Sequence, residues 1–145
     1  MNLPVPSVNL PAAPAAAAKP VAPASNRVQS IINHTNEYHQ AHGLRPVRAN
    51  AALNGLAQDW ANQLVCANKL SHRPQRWNYY PSNIPAGGEN VLQAWSDYSD
   101  AQLVKLWYES PGHRKIMLDA RAKTIGVDVA VNSQGKLYAV QNYGR

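Results

Sequence analysis

Apolar side chains recur along this 145-residue chain at two periods, and the period changes once. From Val28 through Ile31, Ile32, Thr35 and Tyr38 they fall three and four apart, the stripe of an amphipathic helix. Ser25 stands where an N-cap belongs, and Gly43 is placed to end the helix. A second stripe runs through Leu53, Leu56, Ala57, Trp60, Ala61, Leu64 and Ala67, behind Asn50 as cap. Residues 71–88 lose all periodicity, and Pro74, Pro81, Pro85, Gly87 and Gly88 mark them as loop. "ENVLQ" (89–93) is short enough to be strand or turn. Ser99 and Gln102 have capping-box spacing and open a third helix, with Leu103, Leu106 and Trp107 on its buried side.

Past residue 124 the period falls to two. "TIGVDVAV" alternates Ile125, Val127, Val129 and Val131 with smaller or polar neighbours. "NSQG" is a turn, and "KLYAVQNY" is the second arm of a hairpin. Helices first and an antiparallel hairpin last predict an α+β domain, with helices packed on a small antiparallel sheet. The domain is expected over residues 25–145. Residues 1–24 are rich in Pro and Ala with Lys19 as their one charged side chain, and read as a disordered tail or linker. They lack a basic segment ahead of an apolar core, so they are not a signal peptide as written, but they suit a stalk left after cleavage. No apolar run reaches the ~18 residues of a membrane-spanning helix.

Charge adds little. The net charge is +6, but the basic residues are scattered. That pattern reads as a solvated surface, and no nucleic-acid-binding motif accompanies it. The single cysteine, Cys66, excludes an internal disulfide and reads as a buried, inert thiol within the second helix.

Five histidines remain to be placed. His34, His39 and His42 share the first helix. His39 and His42 are three apart and can meet on one face, but no carboxylate completes a metal-binding spacing and Glu37 points elsewhere. They read as solvated or half-buried side chains. "WYESPGHRKIML" (107–118) is different. Ser110 as cap and Pro111 as first helical residue put His113 at the third position of a new short helix. Glu109 ends the helix before it, and the turn brings the two side chains to one spot. A helix N-terminus disfavours imidazolium, leaving a neutral ring that can coordinate a metal or accept a proton. The same arrangement would also serve simply to pin a corner.

Four pieces, "LSHRP" (70–74), "GGENVL" (87–92), "LWYESPGHRKIML" (106–118) and "IGVDVA…LYAVQNYG" (125–144), stand in an order and spacing that resemble the CAP superfamily, the SCP/pathogenesis-related-1 domain, in its bacterial secreted branch. "NHTNEYHQAHGLRPVRANAALNGLAQDWANQL" is similar to that family's first two helices, so the resemblance covers residues 26–145. It implies an α-β-α sandwich with a central cleft carrying two histidines and two acids, which bind a divalent metal, commonly zinc, in some members. By motif these are His72, Glu89, Glu109 and His113. Two of the chain's three glutamates fall on those positions. The disulfides of the eukaryotic members are absent, and their functions are not transferred with them.

The expected function is therefore that of a secreted binding protein, with a weakly held zinc and a lipid, sterol or other cell-envelope ligand. A metal-dependent, peptidase-like hydrolase using the same four residues is the alternative, with Glu89 or Glu109 as general base. A structural module tethered to the envelope is the third. Ser71 beside His72 makes a poor nucleophile, since adjacent side chains rarely meet. "RPQRWNYYPSN" (73–83) offers Trp77, Tyr79, Tyr80, Arg73 and Arg76 for stacking and for anionic groups, unless these rings only cover the core. The domain is expected to act as a monomer.

Overall fold

The computed structural model describes residues 24–145, with side chains from Arg27 onward. Residues 1–23 of the expected Pro/Ala-rich tail lie outside the described residues, and Ala24 belongs to the first helix. Helix α1 spans Ala24–Ala41 and α2 spans Ala51–Ala67. Strand β1, Arg48–Ala49, lies between them. A single 3-10 turn, Arg76–Tyr79, precedes β2, Ala86–Trp95. Helices α3, Asp100–Glu109, and α4, Pro111–Met117, lead into the hairpin of β3, Thr124–Val131, and β4, Lys136–Gly144.

The sheet order is β1-β3-β4-β2. Its three long strands are antiparallel, while β1 pairs parallel with β3 through Arg48–Thr124 and Ala49–Ile125. The sheet is thus mixed, where the sequence pattern predicted an antiparallel one. Alternation along the strands separates two faces. Leu92, Ile125, Val127, Leu137, Ala139 and Tyr143 join Ile31, Ile32, Leu103, Val104, Trp107 and Met117 in one core with α1, α3 and α4. Val91, Tyr138 and Val140 pack with Ala57, Trp60, Ala61 and Leu64 of α2. Helices cover both faces, which gives the α-β-α sandwich.

Local signals decide the helix ends. Asn50 Oδ1 accepts from Leu53 N at 3.0 Å, and Ser99 and Gln102 form the reciprocal capping box. Helix α1 begins at Ala24, one residue ahead of the expected cap Ser25. Gly43 turns the chain after α1 at φ +68°. Helix α2 lies so close to β3 that a Cβ on Gly126 would overlap the backbone of Leu53 and Asn54. Asn54 also reaches into the sheet, its Oδ1 accepting from Val127 N at 3.3 Å.

Three expectations about burial are corrected here. Cys66 is exposed, because it lies two residues past Leu64 and off the face that α2 buries. Ala67, at the fraying end of the same stripe, is exposed too. His39 is neither solvated nor half-buried. It is 1% exposed and sets Nδ1 at 2.8 Å from the Arg45 carbonyl and Nε2 at 2.6 Å from the Met117 carbonyl, tying α1 to α4. His42 instead turns outward to the Tyr108 hydroxyl at 2.8 Å, so the two do not share a site. His34 pairs with Glu37 at 3.2 Å on the surface.

Candidate functional site

The site forms at β2, an edge strand, where α4 meets it. His72 follows α2 in the loop that was expected, and Glu89 sits in β2 with 2% exposure. The Glu89 carboxylate accepts from His72 Nδ1 at 2.9 Å and from the Arg73 backbone N–H at 3.1 Å. A carboxylate can only accept, so Nδ1 carries a proton, and in the neutral ring the lone pair is then on Nε2. That Nε2 is buried and has no hydrogen-bond partner.

His113 is fully buried at the third position of α4. Its Nδ1 bonds the Ser110 hydroxyl at 2.8 Å, so Ser110 spends its side chain on the ring rather than on a capping bond. Its Nε2 is also buried and unpartnered. Burial first, and then the neighbouring His72, hold the His113 pKa down to about 4. The ring is therefore neutral at physiological pH, as its place in the sequence predicted. The causes are different, however: burial and the second histidine lower it, where the helix terminus was expected to.

Glu109 behaves otherwise. It is exposed at the end of α3 and faces Lys105 at 3.7 Å. The turn at Ser110 brings the serine, not the glutamate, to His113, which corrects the expected meeting of Glu109 and His113. Of the four residues, then, His72 and Glu89 touch, His113 lies within electrostatic reach of His72, and Glu109 faces solvent. Among the described residues, no three or more His, Cys, Asp or Glu side chains gather as a metal ion would need. What the site offers is a pair of imidazoles, each with its Nε2 buried and without a hydrogen-bond partner.

The reading of the sequence missed the support beneath the pair. Asn90, buried in β2, donates from Nδ2 to the His113 carbonyl at 3.2 Å and to Gln141 Oε1 at 3.3 Å. Gln141 donates to Thr35 Oγ1 at 3.2 Å and accepts from the Tyr143 hydroxyl at 3.0 Å. This polar chain crosses the core from α1 to α4. Its signal was available: Asn90 and Gln141 are amides at inward positions of otherwise apolar strands.

The aromatic loop divides in two. Arg73 is 8% exposed, with Nη2 at 2.6 Å from Asp59 and its guanidinium 3.7 Å over the Tyr79 ring. Tyr80 donates to the Tyr143 carbonyl at 2.9 Å, and burial raises its pKa well above the usual phenol range. Both residues are committed inside the fold and hold the loop down, rather than standing free for a ligand. Trp77 and Tyr79 are 44% and 50% exposed, and Arg76 lies 4.5 Å over the Trp77 ring. These are the parts of the loop that face outward.

With this geometry in place, the chain can be assigned. Residues 32–143 match the family model of CAP, the cysteine-rich secretory protein family, and the chain belongs to that family. It is 27% identical over 127 residues to the human Golgi-associated plant pathogenesis-related protein 1, a match covering 78% of this chain and 79% of that protein. Its fold is similar to that of an extracellular protein containing an SCP domain from Bacillus anthracis, at a TM-score of 0.70 and 22% identity. That match covers 84% of this chain but 41% of the other, so the chain spans under half the length of that protein. It is also similar in fold to the structure of NaASP2 with Zn2+, at a TM-score of 0.61 and 16% identity, covering 86% of this chain and 82% of that one. Among the described residues, no helix is long and apolar enough to cross a membrane.

Proposed function

We propose that this protein is a secreted binding protein whose His72 and His113 together hold a divalent ion, with zinc the best fit, and whose cleft takes a lipid, sterol or other envelope-derived ligand. One observation carries the metal part: two buried imidazole nitrogens, on different elements, with no hydrogen-bond partner. An unpartnered buried polar atom is costly, and a cation shared by two such atoms within electrostatic reach of each other would relieve both. The donor chemistry suits zinc, which takes neutral imidazole readily. Glu89 would then act behind His72, orienting its ring and raising its basicity.

Two protein ligands leave other coordination positions open, so binding would be weak, and a bound ion would supply Lewis acidity at those positions. The hydrolase reading needs a free carboxylate beside the ion as well. Glu89 is already bonded to His72 and Arg73, and Glu109 faces Lys105. That favours binding over turnover. The secreted setting draws support from the family's name and from the extracellular Bacillus anthracis relative. The ligand part leans on the exposed Trp77 and Tyr79, whose rings suit an apolar or sugar surface.

Native mass spectrometry of the protein purified from its own host, run beside a broad hydrolase screen, tests the proposal. The expected result is a metal adduct, a co-purifying lipid-sized mass and no turnover. A metal-free, ligand-free mass would overturn it, and so would metal-dependent hydrolysis.

A further inference from the structure

The basic residues are scattered along the sequence, but the fold gathers six of the chain's 14 lysines and arginines at one end of the sheet. This is the end where β3 begins and β4 finishes. Backbone hydrogen bonds draw the pieces together. Arg48 N donates to the Lys123 carbonyl at 2.9 Å, Lys123 N to the Gly144 carbonyl at 2.8 Å, and Arg145 N to the Pro85 carbonyl at 2.8 Å. Two cavities open here and share the loop 118–123 that links α4 to β3. Neither His72 nor His113 lines either one.

The first cavity, of about 440 Å³, carries Lys115, Arg121 and Arg145. Asp119 accepts from Arg121 Nε at 3.0 Å and from Arg145 Nε at 2.9 Å, so one carboxylate holds two guanidinium groups in place. Each guanidinium has five N–H donors, more than Asp119 can absorb. The second cavity, of about 320 Å³, carries Arg45, Arg48 and Lys123. No acid lines it, and Asp119 is the one acid lining the first. Arg121 and Lys123 stand two apart in the shared loop, and Arg45 Nη2 reaches the Ala120 carbonyl of that loop at 3.5 Å. The six cations therefore form one continuous face. Among the described residues, Arg45, Arg48, Lys115 and Lys123 make no ion pair. Like charges held this close, with a single acid among them, set up a positive field that an extended anion would neutralise.

We propose that this face is a docking surface for an acidic polysaccharide, a linear sugar chain bearing carboxylate or sulfate groups. One acidic group meets Arg121, Arg145 and Lys115, and a later one along the chain meets Arg45, Arg48 and Lys123. Arginine suits such groups because it donates two parallel, charge-assisted bonds. Between the cations, Pro46, Ile116 and Leu118 offer apolar surface on which the C–H faces of sugar rings can pack. Two hollows joined by a loop fit a thread-like partner that dips into both. A flat bilayer fits less well, since the large exposed apolar side chains, Trp77 and Tyr79, line neither hollow. Single-stranded nucleic acid fits less well too, since no aromatic ring lines either cavity to stack on a base. The surface stands apart from the imidazole pair and its cleft, so either proposal can fail alone.

The test is a titration of the full chain by calorimetry and amide NMR with oligogalacturonate, dextran sulfate, neutral dextran, duplex DNA and phosphatidylglycerol vesicles. The first two separate a carboxylate chain from a sulfate chain. We expect saturable binding of at least one of them, with shifts at the amides of Arg48, Arg121 and Lys123, and none of neutral dextran. Raising the salt toward about 0.5 M should weaken that binding, because the contacts are exposed charges. The double variant Arg48→Gln, Lys123→Gln should lose about tenfold in affinity. Neither side chain is in an ion pair, so the variant keeps the fold. Lys69 serves as the control: it is exposed just past α2, at the other end of the sheet, where its neighbour Asn68 meets Asn132 at 3.3 Å. Lys69→Gln should bind like the parent. No saturable binding of either acidic polysaccharide, equal binding of neutral dextran, or tighter binding of DNA or of the vesicles would overturn the proposal. So would an affinity unchanged in the double variant, or an equal loss in Lys69→Gln.

Discussion

His72 gives its Nδ1 proton to Glu89 across 2.9 Å, and that one bond leaves the opposite nitrogen of the ring bare inside the protein. The acid does not sit beside a prospective ion. It sits behind the ligand and decides which nitrogen faces forward. His113 also has its Nδ1 engaged and its Nε2 bare, but its partner is the Ser110 hydroxyl, which can donate or accept, so that bond leaves the tautomer open.

Glu89 and Glu109 should therefore respond oppositely to the same substitution. Glu89→Gln removes the charge of a nearly buried acceptor of two hydrogen bonds. It should cost about 1–3 kcal/mol of stability and roughly 10–100-fold in zinc affinity. Glu109→Gln removes only an exposed i,i+4 partner of Lys105 and should melt like the parent, within ~0.5 kcal/mol. Thermal melting and zinc titration of both variants check this. Equal losses in the two would mean that Glu109 belongs to the site after all.

The contact of α2 with the sheet gives a second prediction. A Cβ at Gly126 has nowhere to go, because the atoms it meets are backbone of Leu53 and Asn54 and not a flexible side-chain end. Gly126→Ala should destabilise the domain by about 3 kcal/mol, at the upper end of overpacking costs. Gly55 has open space around its Cβ position and sits inside α2, so Gly55→Ala should stabilise by about 0.5–1 kcal/mol. Chemical denaturation of the two variants measures both signs at once.

Asp119 makes stability depend on acid. Burial alone would raise its pKa, but hydrogen bonds from Arg121 and Arg145 and the Arg145 charge outweigh burial and hold the carboxyl at about 2, below its ordinary 3.8. A carboxylate with a depressed folded pKa contributes stability above its unfolded value. That contribution is complete above about pH 4 and is lost as the pH falls toward 2. Asp119→Asn should flatten this part of the stability curve, measured by urea denaturation from pH 5 downward. A slope unchanged by the substitution would contradict the assignment.

The helices, their caps and the hairpin were legible because each depends on neighbours within a few residues. Asn50, Ser99 and the alternation of Ile125, Val127 and Val129 carry their signals locally. Strand β1 was not legible: two residues have no period, and only pairing with Thr124 and Ile125 makes them a strand. Strand β2 was seen as five ambiguous residues instead of ten because Gly87 and Gly88 lead it. Those glycines serve packing, since a Cβ on Gly87 would press on Tyr143 and one on Gly88 on Ile116. His39 follows Thr35 by four residues and so lay on the buried stripe, but its polarity hid that. At the site, His72, Glu89 and His113 were found through family motifs, while the direction of Glu109 depends on the backbone at Ser110, φ −94° and ψ 114°, which no spacing reveals.

The central claim is that His72 and His113 share one cation. Isothermal calorimetry with zinc on the parent, His72→Ala and His113→Ala tests it most directly, near pH 7, where His113 is neutral. Metal binding needs deprotonated imidazole, so this is the favourable condition. The account predicts one weak site per chain in the parent and at least about tenfold loss in each variant alone. Zinc affinity unchanged in both variants would contradict it.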